Sequence, residues 1–234
     1  MLKNNEELKK ILLAKGLGSS EGNLRIFNKF FKDRQTEEQY IHQRFKIDHG
    51  LKVLDIGCGY GHDLIHFSED SVGLEAAVYQ ADYARSLGLK VVSGNAEEDL
   101  NKISGQFDLI WCADFLVHMI SPYKFLYDSR RLLPVGGKLV IQIPLMSIFN
   151  KHRSGCHFYA FNKKSLEYLM AMAGYRVLKT SGLIRKKPNW FNFIFEPLLQ
   201  NWGGNIWVLA EKEETVPVDF SKVYLPAWFK GENK

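Results

Sequence analysis

Residues 51–64 read Leu51-Lys52-Val53-Leu54-Asp55-Ile56-Gly57-Cys58-Gly59-Tyr60-Gly61-His62-Asp63-Leu64. The apolar, β-branched run Val53, Leu54, Ile56 suits a strand buried on both faces of a parallel sheet. Gly57, Gly59 and Gly61 follow at alternate positions, where glycine permits positive φ and close approach of another molecule to the backbone. A helical pattern beginning near Gly61 would complete a strand, glycine turn and helix start, the geometry that sets free backbone N–H groups against a nucleoside ligand. A dinucleotide fingerprint is G-x-G-x-x-G and would need its third glycine at His62. This chain has G-x-G-x-G instead, with Asp55 two residues ahead. Ligand-free tight turns use the same residues, so the stretch needs corroboration from the rest of the chain.

Outward from this turn, strand and helix signals alternate. Strands are expected at 52–56, 71–75, 89–93, 107–112, 137–143, 175–180 and 205–210, with helices at 61–69, 76–87, 121–133 and 163–173. Such alternation predicts an α/β, Rossmann-like doubly wound sheet of seven strands, mostly parallel. The last two strands have no good helix between them, so 181–203 reads as a long aromatic insertion (Trp190, Phe191, Phe193, Phe195, Trp202) and the last strand as antiparallel. Ahead of the turn, 5–15 and 23–49 carry amphipathic helical patterns that would pack on the sheet or cap its binding face. The expected organisation is therefore an N-terminal helical extension or lid (1–49), the sheet domain (50–212) and a tail (213–234) whose Phe220, Tyr224, Trp228 and Phe229 would dock on the surface.

The chain has 234 residues, 46% of them hydrophobic, and a net charge of +5. That length suits one α/β domain with additions. Its basic residues are interleaved with acids, which argues against a nucleic-acid protein with one cationic face. Arg185-Lys186-Lys187 is the one compact basic run. Cys58, Cys112 and Cys156 lie far apart without a C-x-x-C, so neither a disulfide framework nor a metal site is indicated. The N-terminus lacks a signal peptide's apolar core and no apolar run reaches the ~20 residues of a membrane helix. A reducing, cytoplasmic setting is the expectation, with the protein a monomer or homodimer.

Three further features converge on the turn. Glu75 ends the second strand, where its carboxylate can accept both hydroxyls of a ribose. Ser93-Gly94-Asn95-Ala96-Glu97-Glu98 brings an amide side chain and backbone N–H groups to the same edge, able to read an adenine. The fourth strand runs through Trp111-Cys112-Ala113-Asp114-Phe115 to His118, and is followed by Arg130-Arg131-Leu132-Leu133-Pro134-Val135-Gly136-Gly137.

VLDIGCGYG, Glu75, GNAEEDL, FDLIWCADFLVHM and RRLLPVGGKLVIQIP occur in the order found in class I S-adenosylmethionine-dependent methyltransferases, and the chain resembles the broad group of these acting on small molecules. The likeness covers about residues 40–180. It implies that Asp55, Gly57, Gly59 and Gly61 hold the methionine portion of S-adenosylmethionine, with Cys58 inside the turn. It further implies that Glu75 binds the ribose, that Asn95 and Ala96 contact the adenine with Glu97 beside them, and that the backbone of Cys112 and Ala113 lines the sulfonium region. The resemblance also places the substrate lid in 23–49 and 181–203. The implied reaction is in-line displacement at the sulfonium methyl, for which the cofactor carries the activation and the protein supplies orientation and desolvation.

His118, where relatives often have a histidine, and His157 are the candidate catalytic residues, as a general base or as substrate contacts. His62 would point to solvent or to the cofactor carboxylate, which Tyr40 and Arg44 could also reach. Asn-Pro-Pro-Tyr, the signature of amino-methylating enzymes on nucleobases and glutamine, is absent after the fourth strand. The leading expectation is methyl transfer to an O or N atom of a small molecule. The alternatives are an RNA or protein methyltransferase using Lys151, His152, Arg153 and Arg185–Lys187 as a basic surface, a cofactor-binding scaffold without catalysis, and a nicotinamide dehydrogenase.

Overall fold

A computed structural model describes residues 3, 5–15, 21–32, 34–145, 157–184, 187–202 and 204–217. Seven strands form one sheet: β1 (Val53–Ile56), β2 (Val72–Glu75), β3 (Lys90–Ser93), β4 (Leu109–Ala113), β5 (Lys138–Pro144), β6 (Tyr175–Leu183) and β7 (Asn205–Lys212). Their spatial order is β3-β2-β1-β4-β5-β7-β6. The first five run parallel, and β7 is antiparallel to both β5 and β6. The expected mixed sheet is present, every strand within a few residues of its sequence reading. Strand order reverses at β1, so a crevice opens beyond the carboxyl ends of β1 and β4.

The central strands are apolar on both faces because both faces are covered. Leu54, Ile56, Ile110, Cys112, Leu139 and Ile141 enter one core with residues of α5 (Pro122–Ser129) and α6 (Lys163–Met172). Val53, Leu109, Trp111, Val140 and Trp207 enter the other, beneath Tyr40, Ile41 and Phe45 of α3 (Gln35–Phe45). The N-terminal region therefore covers one sheet face. It is not one helix over 23–49: α1 (Asn5–Ala14) is followed by α2 (Glu21–Ile26), a π-helical turn (Phe27–Lys32) and then α3. Between β2 and β3 stands α4 (Val78–Ser86).

Two expectations fail for identifiable reasons. The helix expected at 61–69 is reduced to a single 3₁₀ turn, Leu64–His66. Every residue from Gly61 to Phe67 is buried, a demand that a surface helix with one inward stripe cannot meet. The insertion does contain a helix, α7 (Asn189–Trp202), although Pro197 lies inside it and its apolar residues do not follow a core-facing stripe. Gly182 makes room for it, since a Cβ there would lie 2.2 Å from the α7 backbone at Gln200. The aromatic tail residues Phe220, Tyr224, Trp228 and Phe229 lie outside the described residues, as do Cys156, Lys151–Arg153, Arg185 and Lys186.

Candidate active site

The glycine turn leaves β1 with Gly57, Gly59 and Gly61 at φ of 71°, 56° and 81°. The three glycines have different reasons. A Cβ on Gly57 would stand 2.8 Å from the Phe115 ring, and one on Gly61 would stand 2.3 Å from Leu89 Cδ1. A Cβ on Gly59 would meet nothing nearer than the far end of Gln80 at 3.3 Å and the His62 ring at 3.7 Å. Packing thus excludes a side chain at Gly57 and Gly61, and Gly57 also lines the cavity, whereas Gly59 has the most room of the three.

Glu75, at the end of β2, is tied to this turn. Its Oε2 accepts from the Gly59 amide and its Oε1 from the Ala77 amide, both at 2.8 Å. Each oxygen keeps a further lone pair for a ligand hydroxyl. A cavity of about 300 Å³ opens beside it, with Gly57, Glu75, Gly94, Asn95 and Ala96 on one side and Asp114, Phe115 and His118 on the other. That volume is at the lower end for small-molecule sites and suits a nucleoside. Asn95 Oδ1 accepts from the Glu97 amide at 3.1 Å, and Asp99 Oδ2 accepts from the Asn95 amide at 2.9 Å, which holds the loop in shape. Glu97 itself faces elsewhere: its carboxylate accepts from the Ile120 and Ser121 amides at 3.1 and 2.7 Å, closing the start of α5.

The other expected residues divide between the cavity and its support. Cys58 and Cys112 are buried with their thiols inside the fold, and burial pushes both thiols up. They can serve a ligand only through backbone, as can Ala113. Asp55 points to the α3 face and stays buried behind the turn. His118 lines the cavity, and the His157 ring stands edge-on to it with centroids 4.8 Å apart. The segment carrying His157 is stitched to the loop after β4: the Phe158 amide donates to the Val117 carbonyl at 2.9 Å and Tyr159 Oη to the Ile120 carbonyl at 2.8 Å.

Three expectations are corrected here. Arg44 turns away from the cavity to Glu196 on α7, with Nη2–Oε2 at 2.6 Å, and Tyr40 is buried beneath the same helix face. His62 faces neither solvent nor the cavity but is buried against Phe30 and Phe31, with Nε2 3.5 Å from Asp63 Oδ2. Arg34, and not Arg44, stands beside Asp114. Its Nη1 lies 3.8 Å from Asp114 Oδ2, and its Nε lies 3.7 Å from Glu38.

Around Arg34 the charges sort themselves. Burial, then the negative Asp63, raises Asp55 well above the usual carboxylate range, and the same two causes raise Glu38. Burial would raise Asp63 too, but His62 and Arg34 outweigh it and hold it low. The shifts separate these acids: the ionised form is favoured at Asp63, beside His62 and Arg34, and the neutral form at Asp55 and Glu38. Asp114, the acid that joins this cluster to the cavity, has φ of 55° and accepts from Gln142 Nε2 at 2.9 Å. Its place directly after a parallel strand was a usable signal in the sequence; Arg34, inside a segment patterned as continuous helix, carried none.

Residues 30–180 match a family described as the methyltransferase domain. The chain belongs to this family. Among relatives, the ubiquinone biosynthesis O-methyltransferase of Erwinia tasmaniensis is 25% identical over 134 residues, covering 53% of this chain and 48% of that protein. The protein of the same name from Coxiella burnetii (strain Dugway 5J108-111) is 27% identical over 173 residues, covering 62% of this chain and 71% of that one. The chain thus spans about half the length of the first of these relatives. A SAM-dependent methyltransferase from Archaeoglobus fulgidus shares the fold, with a TM-score of 0.62 at 16% identity, over 82% of this chain and all (100%) of the other.

Proposed function

We propose that this protein transfers a methyl group from S-adenosylmethionine to an oxygen or nitrogen atom of a small-molecule acceptor. The observation that carries the reading is the Glu75 carboxylate, pinned to the Gly59 amide on the wall of a cavity that His118 faces from the other side. Glu75 is placed to bind two vicinal hydroxyls, and Asn95 and Ala96 line the same wall where a base would lie. These residues fit a nucleoside sulfonium, and S-adenosylmethionine supplies an activated methyl when bound there. We assign 1–49 as the cover of the domain, 50–212 as the methyltransferase unit and 213–234 as a tail.

The protein's own part is orientation, which can lower a barrier by about 7–11 kcal/mol, with a base adding ~10²–10⁴-fold for a hydroxyl acceptor. In this reading His118 accepts the acceptor's hydroxyl proton as that oxygen bonds to the methyl carbon and the carbon–sulfur bond breaks. His157, edge-on to that ring, orients it. Arg34, beside Asp114 at the cavity rim, is the candidate partner for the amino-acid carboxylate of the donor.

The relatives named for ubiquinone biosynthesis O-methylation support a small-molecule acceptor and an oxygen atom. Of the basic residues that an RNA-directed reading requires, only Lys187 falls among the described residues. No helix among those residues is long and apolar enough to cross a membrane. The test is incubation of the purified protein with methyl-labelled S-adenosylmethionine and a size-fractionated extract. Label in the low-molecular-weight fraction is expected, and label only in RNA or protein would overturn the proposal.

A further inference from the structure

Helix α7 is built inside out. Asn192, Glu196 and Leu199 are its buried residues. Asn192 Oδ1 accepts from the Ile184 amide at 3.0 Å, Glu196 pairs with Arg44, and Gln200 Nε2 donates to the Thr180 carbonyl at 2.9 Å. Polar anchors and the close approach at Gly182 hold the helix to β6. Its apolar residues point outward: Trp190, Phe193, Ile194, Leu198 and Trp202 are 55–64% exposed. A surface helix ordinarily has the opposite arrangement, and a contiguous exposed apolar stripe marks a surface that something covers.

We propose that the outward face of α7 docks on an anionic lipid surface. Three features select that partner. The helix contains a single acid, Glu196, which is turned inward, and no base, so the outward face carries no formal charge. Exposed Lys187 stands just before it, the last residue of the sequence run Arg185-Lys186-Lys187. Anionic headgroups complement that run. Tryptophans occupy both ends of the helix, and amphipathic indoles favour the headgroup level of a membrane. A protein partner would be expected to find about one hydrogen bond per 100–200 Å², whereas this stripe offers few side-chain polar groups, the indole N–H of Trp190 and Trp202 and the amide of Asn201. The helix joins β6 to β7 at the carboxyl edge of the sheet, the edge on which the cavity opens. Docking would leave α7 lying in the interface, not crossing it.

Co-sedimentation of the full chain with vesicles tests this, comparing phosphatidylcholine alone with phosphatidylcholine containing phosphatidylglycerol. The protein should pellet with the anionic vesicles and lose binding as salt is raised. Brominated lipid should quench tryptophan fluorescence, and Trp190→Phe with Trp202→Phe should remove most of that quenching while the protein still pellets. Phe193→Asp with Ile194→Asp should weaken partition by roughly tenfold or more, with an unchanged thermal midpoint and unchanged affinity for S-adenosylhomocysteine. A wild-type protein that stays in the supernatant with both vesicle types overturns the proposal, whether or not the variants fold. So does a wild-type dimer that the Asp pair converts to monomer without any vesicle binding in the wild type.

Discussion

Glu75 Oε2 accepts the Gly59 amide at 2.8 Å, so the acid at the end of β2 and the open glycine of the turn after β1 form one unit. Glu75→Ala removes a charged acceptor, an interaction of about 1.5–3 kcal/mol. Affinity for S-adenosylhomocysteine should fall by about ten- to a hundredfold in isothermal titration. Glu75→Gln should lose less, because one oxygen remains to accept a hydroxyl.

Gly59 and Gly61 should separate binding from folding. Gly59→Val sets a branched side chain against Gln80, which lines the crevice, and should abolish cofactor binding, with the fold kept apart from the modest strain of its positive φ. Gly61→Val collides with Leu89 as well. It should lower stability by about 3 kcal/mol and reduce soluble yield. Equal thermal midpoints for the two variants would show that the division between ligand space and packing is wrong.

His118→Ala should slow turnover by about 10²–10⁴-fold on a hydroxyl acceptor, while the dissociation constant for S-adenosylhomocysteine changes little. Single-turnover kinetics at saturating cofactor separates the two. An unchanged rate would leave the histidine as a support for the loop after β4.

Arg34 is the only cation against the buried carboxylate of Asp63 among the groups that shift it besides His62. Arg34→Met leaves only His62 to compensate that charge and should destabilise the protein by up to about 3–5 kcal/mol. The held-down Asp63 contributes stability above its unfolded value, and that contribution fades only as pH falls through its lower folded value. The penalty of the variant should therefore be large at neutral pH and shrink in acid. Urea midpoints across pH will show it.

His42 is buried against His49, Phe67 and Trp111, and burial lowers it from 6.5 to about 3, with His66 lowered to about 3 in the same way. A base whose folded value is depressed is held neutral, so stability is lost as pH falls from 6.5 toward 3, where the unfolded chain takes up protons and the folded one does not. The thermal midpoint should drop between pH 8 and 5. His42→Phe should flatten that drop, since it removes a buried group whose Nδ1 has no hydrogen-bond partner.

Much of the framework was legible along the chain. Val53–Ile56 reads as a doubly buried strand because both its faces meet apolar neighbours. Gly57, Gly59 and Gly61 read as a turn because local φ requires them, and Glu75 reads as the acid beside that turn because strand ends share one sheet edge. These are local properties, repeated at the period of a strand or set within a few bonds.

What escaped depends on how distant segments meet. Arg34 and Arg44 lie on the same stretch of N-terminal sequence, yet only the packing of α3 on the sheet decides that the first meets Asp114 and the second Glu196. Glu97 reads as an adenine-side residue until α5 places the Ile120 and Ser121 amides within its reach. The aromatic residues of 189–202 show no core stripe because their helix is anchored by its polar side. The sequence by itself determined the strand order's raw material, the glycine turn and the acid beside it, since backbone conformation and strand burial are written in neighbouring residues. Which buried charges pair, and which face of α7 looks outward, only the tertiary structure decided, because those energies arise between groups far apart in the chain.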